Sequence, residues 1–225
     1  MNSLSRRAVA EALGTFGLVF FGCASVVVSS LPGASYGLLG VALVHAVVLS
    51  VMITATMNIS GGHLNPAVTI GLWSVRRIDT RSAGVYVLAQ LIGGVLGALT
   101  LRFVFPVGIV RVGTLGTPSL ANAMNLTNGI LLEAILTFFL VSAVFGTAVS
   151  SEAPKVGGFG IGLVLLFDIL VGGTLTGGVM NPARAFGPAL VSGTWYAQPV
   201  WWIGPILGGI LAAQLWERVL LKGGK

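Results

Sequence analysis

The feature that most constrains this chain is that it is written twice, with an odd number of apolar stretches in each copy. "EALGTF" at 11–16 returns as "EAILTF" at 133–138, "GGHLNPAVT" at 61–69 as "GGVMNPARA" at 177–185, and "LIGGVLGA" at 91–98 as "ILGGILAA" at 206–213, always in the same order. Sparsely charged apolar stretches fall at 8–29, 37–58, 84–104, 128–150, 157–177 and 198–216, three to a copy. About 20 such residues cross the ~30 Å of a bilayer's hydrocarbon. Three crossings end on the opposite face, so the second copy has to insert upside down. The chain is an inverted repeat, with halves of about 5–105 and 127–221 joined by the loop 105–127, and it reads as one membrane domain over 1–225.

Composition agrees. Hydrophobic residues make up 55% and charged ones 8%, against about 25% charge in a soluble domain. The first stretch follows Arg6 and Arg7, but it is too long for a signal peptide and leads into five more, so it is read as retained. With six crossings, Arg6, Arg7, Arg76, Arg77, Arg81, Lys155, Arg218, Lys222 and Lys225 share one side, which the positive-inside rule makes cytoplasmic together with both termini. The cell membrane, rather than an organelle's, is the expected location. Arg102, Arg111 and Arg184 fall on the other side. The net charge of +6 therefore reports topology, and no basic surface interleaved with aromatics points to nucleic acid. Cys23 is the single cysteine, which excludes an internal disulfide and a cysteine metal cluster and suits a small packing residue. Glycine supplies 33 residues, and Gly93, Gly97, Gly204 and Gly208 are spaced for close helix crossings.

From Pro66 to Val75, and from Pro182 to about Val191, the chain is helix-compatible but too short to cross. Ten residues at 1.5 Å each reach ~15 Å, about the midplane. Asparagine caps a helix N-terminus and proline suits its first position, so Asn65-Pro66-Ala67 and Asn181-Pro182-Ala183 read as helix starts. If each Asn oxygen accepts from its own first turn, its amide N–H groups point outward. Gly61–Gly62 and Gly177–Gly178 permit the tight backbone leading in. Inversion brings the two short helices together with both N-termini central. Two amide donors in an apolar wall, backed by two positive dipole ends, make a path for neutral molecules that repels cations.

Through these paired motifs and the repeat, the chain resembles the aquaporin, or major intrinsic protein, family over almost its whole length. The resemblance implies an all-α membrane protein of six transmembrane helices and two re-entrant half-helices in a right-handed bundle. It further implies a homotetramer with one pore per subunit; no cofactor or metal is expected. Arg184, three residues after Asn181, is a buried arginine of the costly and functional kind. By the resemblance it lines the narrowest constriction with His45, Ile169 and Gly178. This set looks like that of a plant tonoplast intrinsic protein group that passes water and ammonia. Some of that group carry a histidine in the connecting loop; 105–127 has none, and His63 sits beside Asn65 instead. Where glycerol channels of the family carry an acid, a base and a proline, this chain has Ala185, Ala189 and Trp201–Trp202, which favours water. The tryptophan pair also reads as an interfacial belt.

Glu11 and Glu133 occupy equivalent places inside apolar stretches. Intramembrane acids are proton or ion carriers by default, whereas the resemblance implies structural acids that accept hydrogen bonds from the backbone entering each half-helix. Asp168 has no equivalent acid and no assigned role. The expected function is a passive water channel, with ammonia or another small neutral solute as a second permeant. A glycerol or small-solute facilitator of the same fold, and an ion-coupled transporter using the three acids, are the alternatives. Neither histidine has a metal-ligand or triad partner at a recognisable spacing, so no enzyme is expected. Asn125-Leu126-Thr127 fits a glycosylation sequon, read as coincidence this close to a span.

Overall fold

The computed structural model describes residues 3–31, 33 and 36–221; Lys222 and Lys225, assigned above to the cytoplasmic side, lie outside the described residues. The elements are α1 (Leu4–Ser29), α2 (Gly37–Ser60), α3 (Pro66–Ser74), α4 (Thr80–Val104), α5 (Val107–Val112), α6 (Leu126–Val144), α7 (Phe159–Gly172), α8 (Pro182–Ser192) and α9 (Gln198–Leu215). A π-helical turn extends α6 over Phe145–Val149 and α9 over Trp216–Leu220. No strand occurs among the described residues.

Helix starts follow local chemistry. The Ser3 hydroxyl accepts from Arg6 N at 3.3 Å, and Asp79 Oδ1 from Ser82 N at 2.9 Å. Hydrogen bonds from the side chain and backbone of Ser82 hold the Asp79 carboxyl below its ordinary pKa. Asn125 Oδ1 likewise accepts from Asn128 N at 2.8 Å, so the sequon's asparagine serves as the cap of α6.

Five helices, counting the π-helical extensions, are long and apolar enough to span a bilayer. The sixth crossing, expected over 157–177, is helical for only 14 residues in α7, a rise of about 21 Å. At its start Gly157 takes φ +57° ahead of the cap at Gly158, while at its end Thr176 N still donates to Gly172 O at the helical spacing of four, so looser turns carry the chain on to Thr176. Leu13, Phe21, Val47, Leu96, Ile135 and Phe139 are among the large apolar side chains left about half exposed on the helices. That surface would be an aggregation liability in water and is the solvated one in lipid.

The repeat is visible in the packing. α1 lies on α4 as α6 lies on α9, α2 meets α7 across the repeat, and each half-helix rests on the third long helix of the other copy, α3 on α9 and α8 on α4. The predicted small-residue crossings are present. A Cβ added at Gly93 would overlap the carbonyl of Ala12, and one at Gly208 that of Ala134; at Gly97 and Gly204 it would lie 2.8 Å from Phe16 O and 2.6 Å from Ile130 O. Cys23 is fully buried among Val19, Val27, Ala98 and Leu101, as a packing residue. The connecting loop carries α5 and a tight turn at Thr114–Gly116, with Leu115 at φ +55°, that folds in against α1 and α8.

Candidate pore

Both half-helices begin as their sequences require. Asn65 Oδ1 accepts from Ala67 N at 2.8 Å, and Asn181 Oδ1 from Ala183 N at 3.0 Å and Arg184 N at 3.3 Å, each with proline at the first helical position. The expectation that both amide N–H groups point outward needs correcting. Asn65 Nδ2 donates to Met180 O at 2.8 Å and Asn181 Nδ2 to Leu64 O at 2.9 Å. One hydrogen of each amide thus ties its half-helix to the turn that leads into the other, and the two starts meet tip to tip.

The turns are strained in the same way. Gly61, Gly62 and Leu64 have φ of 94°, 63° and 50°, and their counterparts Gly177, Gly178 and Met180 have 90°, 55° and 52°. A left-handed leucine or methionine costs about 1–3 kcal/mol and persists only when its surroundings over-determine it. Here they do. Leu64 N donates to Glu11 Oε2 and Met180 N to Glu133 Oε2, both at 2.7 Å, while the two carbonyls take the asparagine amides. Glu11 also accepts from Ser60 Oγ, His63 N and Gln90 Nε2 at 2.6, 3.0 and 2.8 Å, and Glu133 from Thr176 Oγ1 and Val179 N at 2.7 and 2.9 Å. Both acids are fully buried and engaged with the backbone entering a half-helix. Asp168 is also buried, and its Oδ2 has no partner among the described residues.

Tyr86 and Trp201 brace the two turns alike, Tyr86 Oη donating to Ser60 O at 2.7 Å and Trp201 Nε1 to Thr176 O at 2.8 Å. Trp201 is fully buried, which corrects its reading as part of an interfacial belt; a tryptophan whose indole N–H is bonded inside the protein has no need of the headgroup region.

Two cavities run from these turns. A narrow lumen of about 20 Å³ is lined by Asn65, Asn181, His63, His45, Gly178 and Arg184 with apolar side chains of α2, α6 and α7. On the loop side lies a vestibule of about 320 Å³, lined by His45, Ile169, Arg184, Gly116, Gly177 and their neighbours. The lumen is narrow enough that waters in it would have to stand one behind another. His45 and Arg184 belong to both cavities, so the passage is pinched between them, with Ile169 on one side of the pinch and Gly178 on the other.

Arg184 is buried, donating from Nη1 to Gly116 O at 3.0 Å, and its Nη2 stands 3.4 Å from His45 Nε2. His45 Nδ1 lies 2.9 Å from Val41 O. That carbonyl can only accept, which assigns the proton to Nδ1 and leaves Nε2 as an acceptor facing the guanidinium. Gly116 and Gly22 complete the pinch and escape sequence reasoning. A Cβ at Gly22 would come within 2.6 Å of His45 Nε2, so its absence makes the imidazole's place. Gly116 contributes a backbone oxygen from the connecting loop at φ +68°. Among the described residues no three His, Cys, Asp or Glu side chains come together as for a metal.

Comparison with known proteins agrees with this geometry. Residues 1–216 match the family described as Major intrinsic protein. The chain is 41% identical to "Aquaporin TIP4-4" of Zea mays, covering 97% of this chain and 88% of that protein. It is 37% identical to "Aquaporin AqpM" of Methanothermobacter marburgensis, covering 96% of this chain and 98% of that one. The solved structure of the aquaglyceroporin from Plasmodium falciparum superposes with a TM-score of 0.86 at 26% identity over 98% of each chain. An all-helical inverted repeat with two half-helices meeting at a narrow lumen, in a chain this close to known aquaporins, is an integral membrane channel and not an enzyme: the chain belongs to the major intrinsic protein family.

Proposed function

We propose that water passes this protein in single file and is filtered at His45, Ile169, Gly178 and Arg184. The observation that carries the reading is the pair of cavities meeting between His45 and Arg184, directly beside two cross-tied half-helix starts. Arg184 donates to permeant molecules and adds its charge to the two dipole ends against hydronium, while the acceptor on His45 steadies the guanidinium. Ile169 leaves one wall apolar and Gly178 packs without a side chain against the backbone of α7, so the ring carries no aromatic, which suits ammonia as a second permeant. Ala185, Ala189 and the buried Trp201 support water over glycerol as the main cargo. By the charge distribution the Arg76–Arg77 side faces the cytoplasm with both termini. By kinship the working unit is a homotetramer with one pore in each subunit.

Stopped-flow light scattering of proteoliposomes tests this with water, ammonia and glycerol gradients. Shrinkage in water should be much faster with protein than without. His45→Phe should lower ammonia passage relative to water by closing the ring with an apolar bulk. Equal shrinkage of protein-containing and empty vesicles would refute the water reading, and unchanged solute ratios in the variant would refute the filter assignment.

A further inference from the structure

Away from the pore, a groove of about 450 Å³ opens where α4, α5 and α8 end, lined by Arg102, Arg111, Phe103, Val107, Ser192 and Thr194 with their neighbours. Both arginines are exposed. Arg102 Nη1 donates to Val191 O at 2.9 Å, one of the five N–H groups of a guanidinium. Neither arginine pairs with an acid among the described residues, and topology explains why. Of the chain's six acids, Glu11, Glu133 and Asp168 are buried, while Asp79, Glu152 and Glu217 lie on the face where α4 begins and α6 and α9 end. The groove opens at the other end of α4. Each arginine sits in the last turn of its helix, whose dipole offsets only part of its charge, so net positive charge stays uncompensated.

The apolar surface beside the groove points to what balances that charge. Phe103, Val104 and Val107, beside the arginines, are 81%, 65% and 66% exposed, an apolar surface continuous with the lipid-facing side of α4. Two cations and two hydroxyl-bearing residues beside such a strip, at the end of a helix long enough to span, match in chemistry the headgroup and the acyl chains of a lipid. We propose that this groove seats the phosphate of an anionic phospholipid from the adjoining leaflet, held by Arg102 and Arg111, with the acyl chains along Phe103 and Val107. Guanidinium matches phosphate in charge and in its forked geometry. The seat is separate from the water path, so its occupancy and the pore's conductance are independent readouts.

Native mass spectrometry of the detergent-purified protein, offered equal amounts of dioleoylphosphatidylglycerol and dioleoylphosphatidylcholine, tests the assignment. The wild type should retain the phosphatidylglycerol, with retention falling about fivefold for Arg111→Gln and about 25-fold for Arg102→Gln/Arg111→Gln. Excess inorganic phosphate should not displace it. Water flux of both variants in proteoliposomes should match wild type, reporting that they have folded. Should the double variant fail to fold, Arg111→Gln alone carries the same expectation, since its side chain has no protein hydrogen bond among the described residues to lose. Equal retention of the two lipids, retention unchanged in Arg111→Gln, or displacement by inorganic phosphate would each overturn the proposal, the last by revealing a site for a free ion.

Discussion

Two carboxylates that line neither the lumen nor the vestibule hold the turns leading into the half-helices. Glu11 and Glu133 each accept a backbone N–H on both oxygens and a hydroxyl besides, and those N–H groups belong to the turns that lead into the half-helices. Glutamine is nearly the same shape but turns one acceptor into a donor. Whichever way its amide is set, an NH₂ opposes a backbone N–H, and an unmet buried donor costs about 1–3 kcal/mol. Glu11→Gln and Glu133→Gln should therefore each lower the thermal unfolding temperature in detergent, by similar amounts, and slow water flux as the turns relax. Two variants as stable as the wild type would contradict the structural role. Sequence disclosed these acids because a charge in an apolar stretch stands out, and it disclosed Asn65, Asn181 and Arg184 because their chemistry is local. It could not disclose Gly116, whose contribution is a backbone carbonyl, or Gly22, one glycine among 33 whose only action is to make room for His45. Nor could it disclose the cross-ties of the asparagine amides, since their acceptors lie in the other copy of the repeat.

Among elements, the crossings of α1 with α4 and of α6 with α9 set the frame, and their glycines are legible at both ends of the scale. Gly208 packs so closely on the carbonyl of Ala134 that a methyl group would have to part α6 from α9, while Gly84 on α4 has nothing within 4 Å of where its Cβ would stand. Overpacking a tight contact costs about 1–3 kcal/mol, and replacing glycine by alanine in an open helix interior gains about 0.5–1 kcal/mol. Gly208→Ala should lower, and Gly84→Ala should leave or raise, the temperature at which the protein loses monodispersity in detergent. The reverse order would mean that this crossing does not limit stability. Helix positions were readable from apolar length, to within a few residues for five of the six crossings. The regular helix of α7 starts later than the apolar stretch because hydropathy keeps counting through Gly157, whose left-handed backbone lies outside the helix although composition does not change there.

For the whole molecule, the question left by three buried acids is whether the protein conducts passively or couples to ions. A coupled carrier built on inverted repeats works by rocking one repeat against the other. Here the repeats interlock. A Cβ at Gly71 of α3 would lie 2.8 Å from Gly209 O of α9, and one at Gly94 of α4 would lie 2.6 Å from Ala183 O of α8, so each half-helix is seated in the opposite copy's backbone. Rocking would open both seats, and with them the asparagine cross-ties. Glu11 and Glu133 have their oxygens occupied, and Asp168 lines neither the lumen nor the vestibule. Water flux should therefore rise in proportion to the osmotic gradient without saturating, and it should be indifferent to protonophores and to an imposed sodium gradient. Asp168→Asn should leave it unchanged. In the same vesicles a pH-sensitive dye should register no proton entry under an inward pH gradient beyond that of empty liposomes, because two dipole ends and Arg184 place positive potential along the narrow lumen. Saturation, or flux that follows a proton or sodium gradient, would mean that the seats open and that the interlocked repeat is the wrong description of the working protein.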